Sequence, residues 1–109
     1  MFFNLFNHNN INTGIAQWKN TNNAILLDVR TKEEYNDYHI DGSINIPLDN
    51  LGTVSQYITD KSTPVFVHCL SGARSAGAVR YLKTKGYQNV TDIGGISAYT
   101  GEMVSCNIS

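Results

Sequence analysis

The sequence predicts an α/β domain built on a parallel sheet, and three observations carry that prediction. The run Ala24-Ile25-Leu26-Leu27-Asp28-Val29-Arg30 and the run Val65-Phe66-Val67 are apolar without alternation, as strands buried on both faces are. A stretch of helical period follows each run, so strand and helix alternate along the chain. At 109 residues there is room for one core and not for two.

In chain order, residues 1–10 read as an N-terminal arm, 11–104 as the domain and 105–109 as a tail. Phe2, Phe3, Leu5 and Phe6 make the arm apolar enough to pack on the domain or a partner, while an anchor of that length holds a membrane weakly. Thr13 is positioned to cap a short helix carrying Ile15, Ala16 and Trp18, which the Asn20–Asn23 stretch ends. After the Ala24–Arg30 strand, Thr31 with Glu34 forms a capping box, predicting a helix over Lys32–Tyr38 with Glu34 paired to Arg30. Ser43–Pro47 reads as a short strand. Leu51, Val54, Tyr57 and Ile58 give an amphipathic helix over Asn50–Thr59, and Asp60–Pro64 turns into the next strand. From Ser75 the period is again helical through Ala76, Val79 and Leu82, with Gly86 placed to end the helix in a left-handed cap. Val90–Ile93 is the last strand. Gly94 and Gly95 follow it, as close backbone approach or positive φ requires.

Composition excludes several classes. With a net charge of −1 and basic residues scattered along the chain, there is no nucleic-acid surface. Two cysteines without metal-ligand spacing give neither a disulfide framework nor a zinc site. Apolar runs of a few residues do not span a membrane, and MFFNLFNHNN lacks the basic start and long apolar core of a secretory signal. A reducing, cytoplasmic setting is the expectation. The asparagines at positions 7–12 are a compositional bias with no activity attached.

The chemistry concentrates on Cys69. It ends a buried strand, and Leu70, Ser71, Gly72 and Ala73 after it are too small and glycine-tolerant to extend that strand. A helix opens next, so the loop amides and the helix N-terminus both face the sulfur with partial positive charge. A cysteine of ordinary pKa near ~8.5 falls to about 3.5–7.5 in such a setting. Arg74 closes the loop with a cation, and an inert buried cysteine would need neither anion-shaped loop nor arginine.

Over nearly its whole length the chain resembles the rhodanese (sulfurtransferase) family. The family's D-V-R, acidic helix with E-Y, and G-H-I-x-G-A-x-N-I-P stand here as Asp28-Val29-Arg30, Glu34-Tyr35 and the run from Tyr38 to Pro47. The departures are Tyr38 for Gly, Ser43 for Ala, and Asp41 where Pro is common; none touches the nucleophile. The family's G-G-x-x-x-W ends here in Tyr99, and Gly101-Glu102-Met103-Val104 resembles its G-x-P-V. Cys69 to Arg74 is C-x4-R, a loop of six residues; the related phosphatases and arsenate reductases use C-x5-R, one longer, to hold a tetrahedral oxyanion.

The resemblance implies a rhodanese-like fold, a five-stranded parallel sheet flanked by helices on both sides. It also implies a sulfurtransferase that needs no cofactor and no metal. Cys69 would take a sulfane sulfur from a small donor such as thiosulfate, hold it as a persulfide and pass it to a thiophilic acceptor, cyanide or a thiol. Amides from Leu70 through Ser75 (Leu70, Ser71, Gly72, Ala73, Arg74 and Ser75) would hold the terminal sulfur's charge. Alternatives are a sulfur carrier with a protein donor or a sulfur-accepting protein partner and, less favoured by the short loop, a small arsenate reductase or Cys-dependent phosphatase. A non-catalytic binding module has no need of the cysteine.

Other residues take supporting or structural readings. Asp28 ends a strand beside the cysteine's, and the sequence leaves open whether it orients Arg74, accepts loop hydrogen bonds, or pairs with Arg30. His39 reads as a satisfied core residue and not an acid–base. His68 points to the sheet face opposite Cys69. Cys106 reads as an exposed bystander and not a resolving thiol.

Overall fold

A computed structural model describes residues 10–106; the apolar arm expectation, Phe2 to Phe6, lies outside the described residues. Helix α1 (Ile11–Lys19) comes first, then β1 (Ile25–Asp28), α2 (Lys32–Asp37), β2 (Ile44–Asn45), β3 (Val65–Cys69), α3 (Ala73–Thr84) and β4 (Val90–Gly95). A 3₁₀ segment, Leu48–Gln56, links β2 to β3, and a 3₁₀ turn, Ile96–Ala98, follows β4. The sheet order is β2-β1-β3-β4 and every pairing is parallel.

The pleat sorts side chains onto two faces. Leu27, Val65, Val67 and Cys69 meet Leu51, Val54, Ala78 and Leu82 on the face covered by α3 and the 3₁₀ segment. Leu26, Phe66 and Ile93 meet Ile11, Ile15 and Ile96 on the face covered by α1. Burial on both faces is why β1 and β3 lack polar alternation. Gly14 lets α1 lie close to β4, since a Cβ there would overlap Ile93.

Several expectations are corrected. Among the described residues the sheet has four strands, not five; the tail instead makes one antiparallel bridge, His39 N–H to Val104 O and back, at 2.8 Å each. Asn10, not Thr13, caps α1, its side chain accepting from Asn12 N–H at 2.7 Å. The segment after β2 is 3₁₀ and not an amphipathic α-helix. Leu48, Leu51 and Val54 recur every third residue, the 3₁₀ period, and Leu51 and Val54 are buried. Helix α3 starts at Ala73, two residues before Ser75, because the large apolar residues that reveal its period, Val79 and Leu82, come only after its first turn. At its end Gly86 takes φ +93°, Gly86 N–H reaches Lys83 O and Tyr87 N–H reaches Leu82 O, both at 3.1 Å, which closes α3 in a Schellman motif.

At the carboxyl end of β1 the structure settles the role of Asp28. Its carboxylate receives Arg30 Nη2 at 2.8 Å, Arg30 Nε at 3.1 Å and the Arg30 backbone N–H at 2.9 Å, with both side chains fully buried. Arg30 Nη2 also donates to Tyr38 O at 2.7 Å, and the guanidinium lies 5.0 Å from the Tyr38 ring centre. Asp28 therefore neither orients Arg74 nor accepts from the cysteine loop. The pleat turns it to the α1 face, beside His68, whose ring Nε2 is 3.6 Å away. Burial holds His68 below its ordinary pKa of 6.5 against the opposing pull of Asp28. As a neutral ring its Nδ1–H donates to Cys69 O at 3.1 Å.

Removing one partner of a buried pair strands the other's charge. Arg30→Met should lower unfolding free energy by about 3–5 kcal/mol, read from denaturant midpoints at constant m-value; a loss below about 1 kcal/mol would show the pair to be dispensable.

Candidate active site

The sheet order places the chain's reversal between β1, whose connection runs outward to β2, and β3, whose connection runs to β4 on the other side. Open parallel sheets bind ligands at the carboxyl ends of the strands flanking such a point. Cys69 is the last residue of β3, so topology alone puts it there.

Local geometry then aims the loop at the sulfur. Gly72, the N-cap of α3, has φ +114°, a conformation costly for residues with a Cβ, and its N–H donates to Cys69 Sγ at 3.0 Å. Ser75 N–H, one of the unsatisfied donors of the first turn of α3, reaches Sγ at 3.3 Å, and Ser75 Oγ lies 3.5 Å from it. Gly95 carries the loop from beneath: a Cβ there would overlap Leu70 O and the Ser71 Cα, so β4 and the loop backbone touch directly. Ser97 N–H donates to Leu70 O at 3.0 Å, and Gly94, with φ +92°, sits inside β4 at the register shift in its pairing with β3. The expectation of close approach and positive φ at this glycine pair is met by one residue each.

Cys69 is 1% exposed. Burial, the largest influence, pushes its thiol pKa up, but the Ser75 hydroxyl and the amides of Ser75, Gly72 and Ser71 pull it down, and it ends below its ordinary 9.0. Among loop side chains, Ser71 and Ala73 are exposed and Leu70 is half-buried against the cluster on the α1 face, which also takes the Tyr99 ring. Cys106 is exposed, its N–H on Asn36 O at 2.9 Å.

Arg74 is held by Glu34, correcting the expected Glu34–Arg30 pair. Nη1 meets Oε1 at 2.7 Å and Nη2 meets Oε2 at 3.0 Å, a two-pronged contact between side chains 33% and 29% exposed. The capping box supplies the rest of the geometry, as Glu34 Oε1 also accepts Thr31 N–H at 2.8 Å. Hydrogen bonding to Arg74 drives the Glu34 carboxyl down from 4.5 to about 2, and the same contact raises Arg74. A hollow of about 90 Å³ beside this pair is lined by Val29, Thr31, Pro47, Leu48, Asp49 and Arg74. A larger one of about 470 Å³, between α2 and the 3₁₀ segment, includes no residue of the cysteine loop.

Sequence reasoning assigned nothing to Asp92. Its Oδ1 accepts the Ser75 hydroxyl at 2.8 Å and Gly94 N–H at 3.0 Å. The available signal was an acidic residue inside a strand, on the face that period-two alternation turns toward α3. His39 is satisfied as expected, its Nδ1 2.8 Å from Tyr35 O and its ring stacked on Tyr35 at 3.8 Å.

Among the described residues no group of His, Cys, Asp and Glu is arranged to hold a metal ion, and no helix is long and apolar enough to cross a membrane. What remains is an anion-stabilising loop around a thiol at a parallel sheet's carboxyl edge. The sequence profile of the Rhodanese-like domain matches residues 12–102, and the chain belongs to that family. It is 37% identical over 71 residues to thiosulfate sulfurtransferase PspE of Escherichia coli, covering 64% of this chain and 68% of that one. It is 40% identical over 79 residues to the adenylyltransferase and sulfurtransferase uba4 of Ogataea parapolymorpha, covering 72% of this chain but only 20% of that much longer one. A solved rhodanese with anions from E. coli superposes with a TM-score of 0.70 at 32% identity, covering 75% of this chain and 98% of that one.

The Glu34–Arg74 pair makes a pH prediction. Because the Glu34 pKa is lowered by folding, its contribution is present above pH 4.5 and is lost as pH falls from 4.5 toward about 2. Glu34→Gln, which keeps an oxygen for Thr31 N–H, should leave stability at pH 7 lower by about 0.2–1 kcal/mol and flatten that acid limb. Parallel pH–stability curves for the two proteins would refute it.

Proposed function

We propose that the protein is a sulfurtransferase that carries sulfane sulfur as a persulfide on Cys69. The observation that supports this most directly is the convergence of the Gly72 and Ser75 amides and the α3 N-terminus on one sulfur atom. The Cys69 thiolate attacks the outer sulfur of a donor such as thiosulfate. The donor's S–S bond breaks, its electron pair leaves with sulfite, and Sγ–S⁻ remains. In the second step cyanide or a thiolate attacks the outer sulfur, and the electron pair of the Sγ–S bond returns to Sγ as thiolate. Charge balances in both steps, and the cycle is ping-pong. The loop's donors are fixed before either step, so they stabilise moving charge without rearranging solvent. Relatives that include a thiosulfate sulfurtransferase support the reaction class. The six-residue loop favours one sulfur atom over a tetrahedral phosphoryl group.

After incubation with thiosulfate, wild-type protein should gain the mass of one sulfur on Cys69. Cys69→Ser should lose thiosulfate:cyanide transfer, and Cys106→Ser should keep most of it. Equal loss from both variants would require two thiols and would sink the assignment.

A specific observation favours a donor other than a small dianion. Leu70 brings no charge, and Arg74, the loop's one basic residue, is already engaged with Glu34. A protein-bound or uncharged persulfide suits this mouth better than thiosulfate does. Leu70→Arg should therefore lower the thiosulfate KM severalfold, since one exposed charge contact contributes about 0.2–1 kcal/mol and tenfold corresponds to about 1.36 kcal/mol. The gain should shrink with salt, and kcat should change less. A KM unchanged at low ionic strength would show that donor charge is not read at position 70.

A further inference from the structure

Ser75 is the only helix-borne side chain hydrogen-bonded to the sulfur among the described contacts, and its hydroxyl is oversubscribed. Oγ lies 3.5 Å from Cys69 Sγ, 3.0 Å from Gly72 O and 2.8 Å from Asp92 Oδ1. A hydroxyl has one proton and two lone pairs. Gly72 O and Asp92 Oδ1 are both acceptors, and the carboxylate contact is shorter and charge-assisted, so it holds the proton. The thiol S–H then donates to an Oγ lone pair. Once sulfur carries negative charge it becomes a third claimant on the same proton. Gly94 N–H donates at 3.0 Å to the same Asp92 oxygen that Ser75 uses, which favours this position of the carboxylate.

We propose that Asp92 is a positioning residue of the sulfur-transfer site: its carboxylate holds the Ser75 hydroxyl proton off Cys69 Sγ while that sulfur is uncharged, and yields it as Sγ becomes a thiolate. The proposal rests on the persulfide reading above. During discharge the acceptor's lone pair bonds to the outer sulfur, the outer S–Sγ bond breaks, and its electron pair stays on Sγ. The Ser75 O–H turns from Asp92 to Sγ at that moment, and no proton leaves the site. Asp92 must lose a hydrogen bond for this to happen, which makes Cys69 a poorer leaving group and a more strongly nucleophilic thiolate. The carboxylate thus biases the site toward keeping its sulfur until a strong acceptor arrives.

Other charged or titratable groups surround the sulfur. They are Arg74 on α3, its partner Glu34 on α2, Asp49 of the 3₁₀ segment across the hollow from Arg74, and His68 with the Asp28–Arg30 pair on the opposite sheet face. Asp92→Asn leaves all of them in place. It also keeps an oxygen for Ser75 and Gly94, removing the charge and exchanging the other oxygen for an NH2 group.

The test measures the thiolate's ultraviolet absorbance against pH in a Cys106→Ser background. Asp92→Asn should move the Cys69 midpoint down by several tenths to about one pH unit, giving about twofold to tenfold more thiolate below the midpoint. Single-turnover discharge of the persulfide to cyanide should speed up by a similar factor, with loading from thiosulfate changed less. Ser75→Ala should raise the midpoint, and in Ser75→Ala the Asp92→Asn shift should largely vanish. An unchanged or raised midpoint in Asp92→Asn overturns the proposal. So does a full downward shift that persists without the Ser75 hydroxyl, which would make the effect a direct field of the carboxylate. Should Asp92→Asn not fold, Asp92→Ser serves in its place, and a Cys69 midpoint that fails to fall there overturns the proposal. The titration needs no sulfur transfer, so loss of the persulfide reading would show separately, as undiminished transfer in Cys69→Ser.

Discussion

The fully buried Asp28–Arg30 pair is the constraint from which the rest of the active face is hung. Arg30 binds the carboxylate through its side chain and its own backbone N–H, and spends a further N–H on Tyr38 O. The pair is thus a clamp across the start and end of α2. Asn45 adds to it from β2, its Nδ2 donating to Asp28 O at 2.9 Å and to Arg30 O at 3.0 Å. With both ends of α2 fixed, Thr31 caps it and Glu34 emerges at the one place where it meets Arg74. The loop around Cys69 is therefore tied to β1 through two successive ion pairs. Desolvating two charges is expensive, so such a pair contributes more to defining one arrangement than to net stability. Arg30 Nη1 and His68 Nε2 are both buried without a hydrogen-bond partner, which shows that the cluster is not fully satisfied by protein atoms alone.

On the opposite face of the same strands the design principle is different. Among the described residues no side-chain cation is hydrogen-bonded to the sulfur; the groups on it are the Gly72 and Ser75 amides and the Ser75 hydroxyl. Amides cannot titrate and are held in place by α3 and by Gly95, so this part of the field at Sγ does not change with pH. The burial that opposes ionisation also strengthens each of those hydrogen bonds by excluding water. Arg74 stands one layer out, where Glu34 fixes its direction and neutralises much of its charge.

Elements set by local pattern were legible in the sequence. The unalternating strands, the Thr31–Glu34 capping box and the Gly86 cap each depend on residues a few positions apart. Cys69 was legible because strand, small-residue loop and helix follow one another directly. What stayed hidden was partnership across the chain: Arg74 with Glu34 and Ser75 with Asp92 are separated by 40 and 17 residues. Nothing in composition distinguishes Glu34 reaching Arg74 from Glu34 reaching Arg30, which lies only four residues away. The 3₁₀ segment was misread because Leu51 and Val54 belong both to a helical set with Ile58 and to the threefold set with Leu48. The start of α3 was misread because Ala73 and Arg74 carry no large apolar side chain that extends the spacing of Val79 and Leu82. The fifth strand came from the family resemblance; among the described residues the end of the chain instead makes the bridge of Val104 with His39 and contacts from Ser105 and Cys106 to Asn36 O.

The brevity of β2 has a consequence for the protein in concentrated solution. An outer strand presents unpaired backbone groups that a neighbouring chain can extend into an intermolecular sheet. Here that side of the sheet is two residues long, Ile44 and Asn45, and the Asn45 amide is turned inward onto the Asp28 and Arg30 carbonyls. Pro47 follows almost at once and has no N–H to offer. A template that short cannot register a second strand, so the β2 side resists the edge-to-edge aggregation to which small parallel sheets are prone.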